Sequence, residues 1–396
     1  MKPPPRYLAI ANPAGKRWQT YRQALDRFWS ARGVTPEIEL VPWSEVVPRE
    51  GNLDGLIQAD RPALVRLESP GRDTDVGRLL LEVGDRHVPE PSGTDWRAVP
   101  WPKGLLLRPG LMFDGFRRVL EGLRRSFDRR SHLTLTACPL AVAEMFDKRI
   151  TARKLKDAGV PTPGFRTGMR SPDDLLDISG HPSRCRPRDI PWESVYVKLA
   201  TGSSAAGMIT FQTMYPHRST STMVEIDGRF YSTRRLQGID CEHPGQTEAL
   251  DRQLQFLIDE GVFIQEGVRL AQIDGLNFDV RVVVIRGEPA FTIFRLSPYP
   301  MTNLHLGGKR GDWKTCRAAV PTRAWLDALD DCVRAAECFD AATAGVDVVF
   351  ERGTWRHFVL EVNAFGDFFP GWADGRGRGV HEAGIEADAR AMGWVP

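Results

Sequence analysis

Three oxygen-bearing side chains stand in two apolar segments near the C-terminus. The segments are residues 345–350 and 359–363, and the side chains are those of Asp347, Glu361 and Asn363. Two β-branched runs separated by a short polar break that contains a glycine predict a β-hairpin. Carboxylate and amide oxygens on one face of such a hairpin are suited to bind a divalent cation.

The register of this hairpin decides which side chains share a face. With a loop of odd length centred on Thr354, Asp347 lies opposite Glu361, and Asn363 follows on the same face because side chains alternate along a strand. That register also places Val349 opposite Val359 on the acidic face, and on the other face it pairs Val346 with Val362, Val348 with Leu360 and Phe350 with Phe358. We therefore predict one core face and one acidic face.

Two carboxylates that face each other across a hairpin repel one another, because their Cβ atoms are roughly 5 Å apart. A cation between them removes this repulsion. Oxygen ligands of which two are charged and one is neutral suit Mg²⁺ or Mn²⁺, with water and phosphate oxygens completing the octahedron. The alternative is a solvated hairpin whose outer residues are ordinary polar side chains.

The composition indicates a soluble protein with more than one domain. The chain has 396 residues, which is enough for two or three domains, and its formal charge of +2 gives no reason to expect nucleic acid as a partner. We find no apolar stretch of transmembrane length and no signal-peptide core, so we expect no membrane association and a cytoplasmic location. The six cysteines are scattered without zinc-type spacing, and we expect reduced, structural thiols.

The first 140 residues alternate strand and helix patterns. Apolar runs at residues 7–11, 38–41 and 63–67 flank a helical pattern around residues 18–32, which predicts a parallel sheet with helices against it. The loop at residues 12–16 lacks the spacing of a phosphate-binding loop, so we interpret it as a plain strand-to-helix turn. We predict an α/β domain at residues 1–140.

From about residue 140 the pattern changes to α+β. A helix at residues 140–158 is predicted to stop at the prolines that follow Gly159. Further predicted elements are strands at 195–199 and 209–212 joined by a glycine loop, a helix at 247–260, a strand at 262–266, a hairpin of 278–285 with 290–296 turned by 286–289, and a helix at 325–339. We divide this part into residues 141–262 and 263–396.

A series of polar signals recurs through this α+β part. In chain order they are Asp147-Lys148 on a helix, Lys198 on a strand before a Gly/Ser loop, Gln265-Glu266 ending a strand, Asp279-x-Arg281, Arg295, the loop 302–308, Asp347 and Glu361-x-Asn363. This order and spacing resemble the ATP-grasp superfamily, in particular its glutathione synthetase-like and ribosomal S6 modification-type ligases. The resemblance covers roughly residues 140–369 and implies two α+β subdomains that enclose ATP.

The resemblance implies a role for each polar group. Lys148 and Lys198 would lie along the triphosphate, and Gly202, Ser203, Ser204 and Gly207 would form a mobile loop over the phosphates. Gln265, Glu266, Gly267 and Val268 would surround the adenine, and Asp279 would hold the ribose or order the site. Arg281 would contact phosphate, Arg295 and Asn303 would lie near the transferred phosphoryl group, and Asp347, Glu361 and Asn363 would hold Mg²⁺ or Mn²⁺.

Simpler interpretations exist for several of these residues. Lys148 and Lys198 could be ordinary surface lysines, the glycines around Gly202 could form a plain hairpin connection, and residues 302–308 could be an ordinary loop. Arg295 joins the face of Asp279 only in one register of its hairpin, and we favour that register.

The segment after Asn363 departs from the family pattern. It reads Ala-Phe-Gly-Asp-Phe-Phe-Pro-Gly instead of a short serine-and-proline turn, and we expect Asp367, Phe368, Phe369 and Trp372 to reshape the acceptor pocket. Our leading hypothesis is an ATP-dependent ligase that joins a small-molecule or peptide carboxylate to an amine, or to a thiol, through an acyl phosphate. The alternatives are a small-molecule kinase and a non-catalytic nucleotide-binding partner of a biosynthetic complex; the oligomeric state stays open.

Overall fold

The structure is a computed structural model that describes residues 4–58, 61–71, 73–174, 192–202, 206–212, 218–240, 243–367, 369 and 371–396. The described residues form three sheets with helices between their strands. Among the described residues, no helix has both the length and the apolar character needed to cross a bilayer. The mixed α/β and α+β architecture confirms the predicted fold class.

The N-terminal sheet is parallel with the strand order β2-β1-β3-β4. Its strands and helices are β1 Arg6–Ala11, α1 Lys16–Ser30, β2 Glu37–Pro42, α2 Trp43–Val46, β3 Ala63–Leu67, α3 Thr74–Arg86, α4 Pro109–Asp128 and β4 Leu133–Leu135. Every residue of β1 is buried, as expected for a parallel strand that is covered on both faces. The predicted βαβ arrangement is confirmed.

Helix α4 approaches its neighbours so closely that it needs glycine at the contact. A Cβ atom built on Gly122 would lie 1.7 Å from the carbonyl oxygen of Glu50. We expect Gly122→Ala to lower the free energy of unfolding by about 3 kcal/mol, because backbone must move to admit the methyl group. Gly384→Ala is the matched control, since a Cβ there meets nothing within 4 Å. Urea denaturation followed by tryptophan fluorescence measures both, and equal midpoints for the two variants would contradict the prediction.

Two helices replace the single helix predicted at residues 140–158. They are α5 Pro139–Phe146 and α6 Lys148–Asp157, and Asp147 separates them in an extended conformation with φ −94° and ψ 104°. The Asp147 carboxylate accepts a hydrogen bond from the N–H of Arg149 at 2.9 Å and so caps α6. The prediction of one continuous helix was wrong because Asp147 is a capping residue, and the break places Lys148 at the start of α6.

The central sheet is antiparallel with the order β5-β10-β6-β7-β8-β9. Its elements are β5 Phe165–Arg166, β6 Ser194–Leu199, β7 Met208–Gln212, β8 Arg218–Ile226, β9 Arg229–Asp240, α7 Pro244–Asp259 and β10 Val262–Glu266. One face packs against α7 and forms a core of its own. Residues 262 and 263, between which the sequence analysis divides the chain, both belong to β10.

The C-terminal sheet has the order β14-β13-β12-β15-β16, with β11 paired to β12. Its elements are β11 Gln272–Ile273, β12 Leu276–Ile285, β13 Glu288–Ser297, β14 Lys309–Arg310, α8 Trp313–Ala319, α9 Thr322–Glu337, β15 Thr343–Phe350, β16 His357–Asn363 and α10 Val380–Ala391. The apolar face covers α9 and continues through α5 into the core of the N-terminal sheet. On the opposite face, Val283 and Ile285 pack against α10 at one end of β12, and the rest of β12 carries polar side chains on that face.

The predicted register of the last hairpin is only partly correct. Asp347 pairs with Glu361 and Val346 with Val362, as predicted, but the register then shifts by one residue, so that Val348 pairs with Val359 and Phe350 with His357. The predicted pairs Val348–Leu360, Val349–Val359 and Phe350–Phe358 were wrong. A bulge at this point turns Val359 into the apolar core, where it is fully buried.

Candidate functional site

Alternating acidic and basic side chains form a row across the polar face of the C-terminal sheet. We call the residues Asp279, Arg295, Asp347, Arg281 and Asp367 the ion ladder. Nε of Arg295 donates to Oδ1 of Asp279 at 2.7 Å, and Nη2 of Arg295 lies 3.0 Å from Oδ1 of Asp347. Nη2 of Arg281 donates to Oδ2 of Asp347 at 2.9 Å, and Nη1 of Arg281 lies 3.7 Å from Oδ2 of Asp367.

Strand pairing produces the ladder. Asp279 on β12 is opposite Arg295 on β13, and Arg281, two residues further along β12, is opposite Asp347 on β15. Because cross-strand partners share a face, these four side chains meet on one side of the sheet. The favoured register, with Arg295 beside Asp279, is confirmed. A two-residue turn at Arg286 and Gly287 makes this hairpin, where the sequence predicted a four-residue turn.

Asp347 is held by two guanidinium groups in a nearly solvent-free position. Its side chain is 6% exposed and that of Arg281 is 11% exposed. Burial alone would raise the pKa of Asp347, but the charges of Arg281 and Arg295 outweigh it and hold that pKa well below its usual range. Asp347 therefore carries its charge at every pH near neutrality.

The residues predicted to hold a metal come together on this face. Asp347 lies opposite Glu361 on the same face of the hairpin. Nδ2 of Asn363 donates to the carbonyl oxygen of Gly345 at 3.2 Å, which leaves the amide Oδ1 as the end available to a cation. Among the described residues, no group of three or more His, Cys, Asp or Glu side chains forms a metal cluster. Side-chain oxygens of Glu361, Asn363 and Asp347 form a set of ligands that fits Mg²⁺. The remaining coordination positions would be filled by oxygens of bound ligands.

Lys198 faces the ladder from the central sheet. It stands on β6, opposite Phe263 of β10, and its Nζ donates to Oε1 of Gln265 at 2.6 Å. Burial lowers the pKa of Lys198 to about 8, while the charges of Glu361 and Asp347 act in the opposite direction. Because both carboxylates act on Lys198, the lysine lies on the side of the central sheet that faces the acidic side chains, and we call the space between them the cleft.

Lys148 and the glycine loop lie at the same end of this cleft. The N–H of Lys148 donates to the carbonyl oxygen of Ala200 at 2.9 Å, and its ammonium donates to the carbonyl oxygen of Gly202. Gly207 has φ +67°, and a Cβ there would lie 2.5 Å from Leu199, so this position requires glycine. Ser203 and Ser204, also predicted for this loop, lie outside the described residues.

Some polar groups of the segment predicted to bind adenine form hydrogen bonds within the protein. The N–H of Glu266 donates to the carbonyl oxygen of Gly164 at 2.7 Å, and its carboxylate accepts from the N–H of Gly164 at 2.9 Å. The N–H of Gly267 donates to the carbonyl oxygen of Ser194 at 2.8 Å. The N–H of Val268 makes no hydrogen bond within the described chain, so it is the donor that this segment offers to a ligand.

The loop with Asn303 lies at the edge of the same site. The carbonyl oxygen of Asn303 accepts hydrogen bonds from the N–H groups of Leu306 at 3.0 Å and Gly308 at 3.3 Å. Met301 and Leu306 pack against Met208 of the central sheet. The loop therefore joins the two sheets that border the cleft.

Arg17 makes contacts that the sequence analysis did not predict. Its guanidinium donates to the carbonyl oxygen of Phe365, in the segment after Asn363, and its Nε donates to Oε2 of the buried Glu68 at 3.2 Å. These groups lie at the carboxyl ends of β1 and β3. The strand order of the N-terminal sheet changes direction between these two strands. Arg17 directly follows the loop at residues 12–16, which the sequence analysis interprets as a plain turn. The positive charge of Arg17 beside this loop was the signal in the sequence that could have identified the contact.

Comparison with solved structures identifies proteins of similar fold. D-cycloserine synthetase DcsG matches with a TM-score of 0.51 and 14% identity over 98% of this chain and 99% of that chain. The ATP-grasp ligase PsnB, complexed with minimal precursor, matches with a TM-score of 0.51 and 16% identity over 98% and 99%. D-alanine–D-alanine ligase from Bacillus anthracis, complexed with ATP, matches with a TM-score of 0.50 and 12% identity over 99% of both chains. No family model and no curated protein matches the sequence.

Proposed function

Because the chain has the ATP-grasp fold, we propose that it is an ATP- and Mg²⁺-dependent ligase that joins a carboxylate to an amine, with release of ADP and phosphate. The observation that carries the proposal is the sheet face on which Asp347 meets Glu361 and the guanidinium groups of Arg281 and Arg295, with Lys198 of the central sheet close enough for its pKa to respond to the carboxylates. Cations on one wall and oxygen ligands on the other are what a metal-bound triphosphate needs.

The charge balance of the cleft supports this proposal. The cations Lys148, Lys198, Arg281 and Arg295 are balanced by the carboxylates Asp279, Asp347, Glu361 and Asp367. In such pairs, each buried cation is neutralised by a neighbouring carboxylate. A phosphoryl group that enters the cleft offers the guanidinium groups a second anionic partner, in the bidentate geometry that arginine favours.

Each wall of the cleft has a separate task in the proposed site. Lys148, Lys198, Gly202 and Gly207 bind the phosphates, the N–H of Val268 binds the base, and Asp279 orders Arg295. Glu361, Asn363 and Asp347 would hold Mg²⁺, which supplies charge neutralisation between the phosphate oxygens when it is bound. Arg281 and Arg295 keep Asp347 ionised and ready for that task.

The proposed reaction has two steps. A substrate carboxylate attacks the γ-phosphorus of ATP, which gives an acyl phosphate and ADP. An amine then attacks the acyl carbon and phosphate leaves, forming an amide bond; a thiol would give a thioester in the same way. No protein nucleophile is needed, so this chain's residues act by positioning and by stabilising charge.

A panel of carboxylates and amines, scored by phosphate release and by product mass, tests this function. A ligase releases phosphate only when carboxylate and amine are both present. A phosphorylated product and ADP without any amine requirement would instead support the small-molecule kinase. Nucleotide binding without turnover on any pair would support the non-catalytic nucleotide-binding partner.

The protonation of Lys198 gives the proposed site a pH dependence. The folded protein without nucleotide has a pKa of about 8 at Lys198, below the ordinary lysine value, so the ammonium is lost as the pH rises past 8. Phosphate raises that pKa, and the affinity for Mg·ADP is therefore expected to fall by up to roughly tenfold per pH unit above 8. Calorimetry between pH 7 and pH 9.5 measures this.

Two variants of Lys198 separate this effect from general alkaline damage. Lys198→Met should bind Mg·ADP weakly with an affinity that no longer changes in this pH range, whereas Lys198→Arg should stay charged and lose the fall in affinity. A fall of the wild-type size in Lys198→Met would show that another group titrates.

A further inference from the structure

Phe365 lies between two chain segments that carry residues of the proposed site. It follows Asn363 by two residues, in a turn that the N–H of Gly366 closes by donating to the carbonyl oxygen of Asn363 at 3.2 Å. Its ring contacts that of Phe146 edge to face, with the ring centroids 5.9 Å apart. Phe146 ends α5 and precedes Lys148 by two residues. One aromatic contact therefore joins the segment of a proposed metal ligand to that of a proposed phosphate-binding lysine.

Further contacts connect Phe146 to the N-terminal domain. Its ring meets that of Phe116 on α4 with the centroids 5.5 Å apart, and Phe116 meets Trp43 on α2 at 5.8 Å, again edge to face. Phe116 and Trp43 are both buried. Nε1 of Trp43 donates to the carbonyl oxygen of Glu68 at 2.9 Å. This row of aromatic side chains therefore runs from the site to the carboxyl end of β3.

Arg17 completes the connection back to Phe365. The buried carboxylate of Glu68 accepts a hydrogen bond from Nε of Arg17 at 3.2 Å, and the guanidinium of Arg17 donates to the carbonyl oxygen of Phe365. Burial alone would raise the pKa of Glu68, but the charges of Arg66 and Arg17 outweigh it and lower that pKa to about 2. Glu68 is therefore ionised near neutral pH and keeps Arg17 in place. We call the closed series of contacts the contact ring; its members are Trp43, Phe116, Phe146, Phe365, Arg17 and Glu68.

The contact ring holds Phe365 from two directions. Its side chain packs against Phe146, and its carbonyl oxygen accepts a charge-assisted hydrogen bond from Arg17. Any shift of Phe365 passes to Asn363, because only the buried Ala364 lies between them in the turn. Groups that lie behind a metal ligand and fix its orientation typically change metal affinity by about 10- to 100-fold when they are replaced. The contact ring therefore has the position from which it can set the geometry of the metal site.

We propose that Phe365 is a positioning residue that holds Asn363 and Lys148 at the separation that a metal-bound triphosphate needs. This inference rests on the proposed function, since it assumes that Asn363 binds Mg²⁺ and that Lys148 binds phosphate. Four members of the contact ring belong to the N-terminal domain, so that domain takes part in nucleotide binding through the contact ring. The part of the nucleotide affinity that depends on Mg²⁺ should respond to a change at Phe365.

Titration calorimetry with the ATP analogue AMP-PNP, in Mg²⁺ and in EDTA, tests this inference. Phe365→Leu keeps an apolar side chain but loses the edge-to-face contact. We expect its affinity in Mg²⁺ to fall roughly tenfold, while its affinity in EDTA stays within about twofold of wild type, since the metal ligand takes no part in binding without metal. The matched control is Phe256→Leu, because Phe256 is also half-buried and its ring centroid lies 4.6 Å from that of Phe230. This control should leave both affinities as in the wild type.

Phe146→Leu and the double variant with Phe365→Leu show whether the effect passes through the contact. Phe146→Leu should weaken binding in Mg²⁺ as Phe365→Leu does, and the double variant should lose no more than the weaker-binding single variant, because the two side chains share one contact. Should Phe365→Leu not fold, Phe146→Leu alone makes the same comparison between Mg²⁺ and EDTA.

Three results would overturn the inference. They are unchanged affinities in Phe365→Leu, losses that multiply in the double variant, and equal losses in Mg²⁺ and in EDTA, which a general loosening of the fold would produce. Each of them requires that the wild type binds AMP-PNP in Mg²⁺. If the wild type does not bind it, the proposed function itself fails, so the two failures are distinguishable.

Discussion

Replacing Glu361 with glutamine is expected to lower the carboxylate-dependent turnover of ATP by roughly 100- to 1,000-fold. Glu361 lies opposite Asp347 on the cleft face and is the proposed metal carboxylate that no guanidinium holds at hydrogen-bond distance in the described residues. Glutamine keeps the shape of the side chain but removes the charge that a divalent cation needs. ADP formation measured against Mg²⁺ concentration should therefore show a lower maximum and a higher half-saturating concentration.

Glu351→Gln is the matched control on the same hairpin. Glu351 pairs with Arg356 at 2.9 Å at the loop end of the hairpin. Its substitution should leave both the maximum and the Mg²⁺ requirement as in the wild type. Wild-type turnover in Glu361→Gln, with the thermal midpoint unchanged, would remove Glu361 from the metal site.

Replacing Arg281 with methionine is expected to lower both turnover and stability. The variant leaves the buried carboxylate of Asp347 with only one guanidinium, that of Arg295. Breaking a buried ion pair from one side costs about 3 kcal/mol of unfolding free energy. Turnover should fall roughly 1,000-fold as well, because the proposed site also loses a cation at the transferred phosphoryl group.

A second substitution separates the two effects of Arg281→Met. Adding Asp347→Asn removes the uncompensated charge, so the double variant should regain most of the lost stability and none of the lost turnover. Urea denaturation and ADP formation measure the two quantities. If the double variant is less stable than either single variant, the two side chains do not stabilise the fold through each other.

Patterns within single elements predicted most of the fold. The apolar runs of β1 and β3 and the sequence Val262–Glu266 of β10 correspond closely to the observed strands, because burial demands unbroken apolar side chains there. The pairing of Asp347 with Glu361 followed from the two-residue period of a strand. Asp147 shows where this approach fell short, since its preference for capping positions was visible in the sequence and was not weighed against the helical pattern around it.

Features that depend on several elements at once could not be predicted. The bulge in the last hairpin exists because Val359 packs into a core shared with α9, and the hairpin sequence does not encode that packing. The sequence interpretation assigned Arg281 to phosphate and Asp347 to metal as separate tasks. Their contact arises because β12 lies beside β15, and that neighbourhood is a property of the strand order.

Titration calorimetry with a non-hydrolysable ATP analogue tests the central claim most directly. If Glu361, Asn363 and Asp347 hold Mg²⁺ against a triphosphate that Lys198 binds from the other wall, the analogue binds the wild type tightly only when Mg²⁺ is present. That binding is then strongly weakened in Lys198→Met and in Glu361→Gln. No binding heat in the wild type with Mg²⁺, or equal binding with and without the metal, would contradict the account.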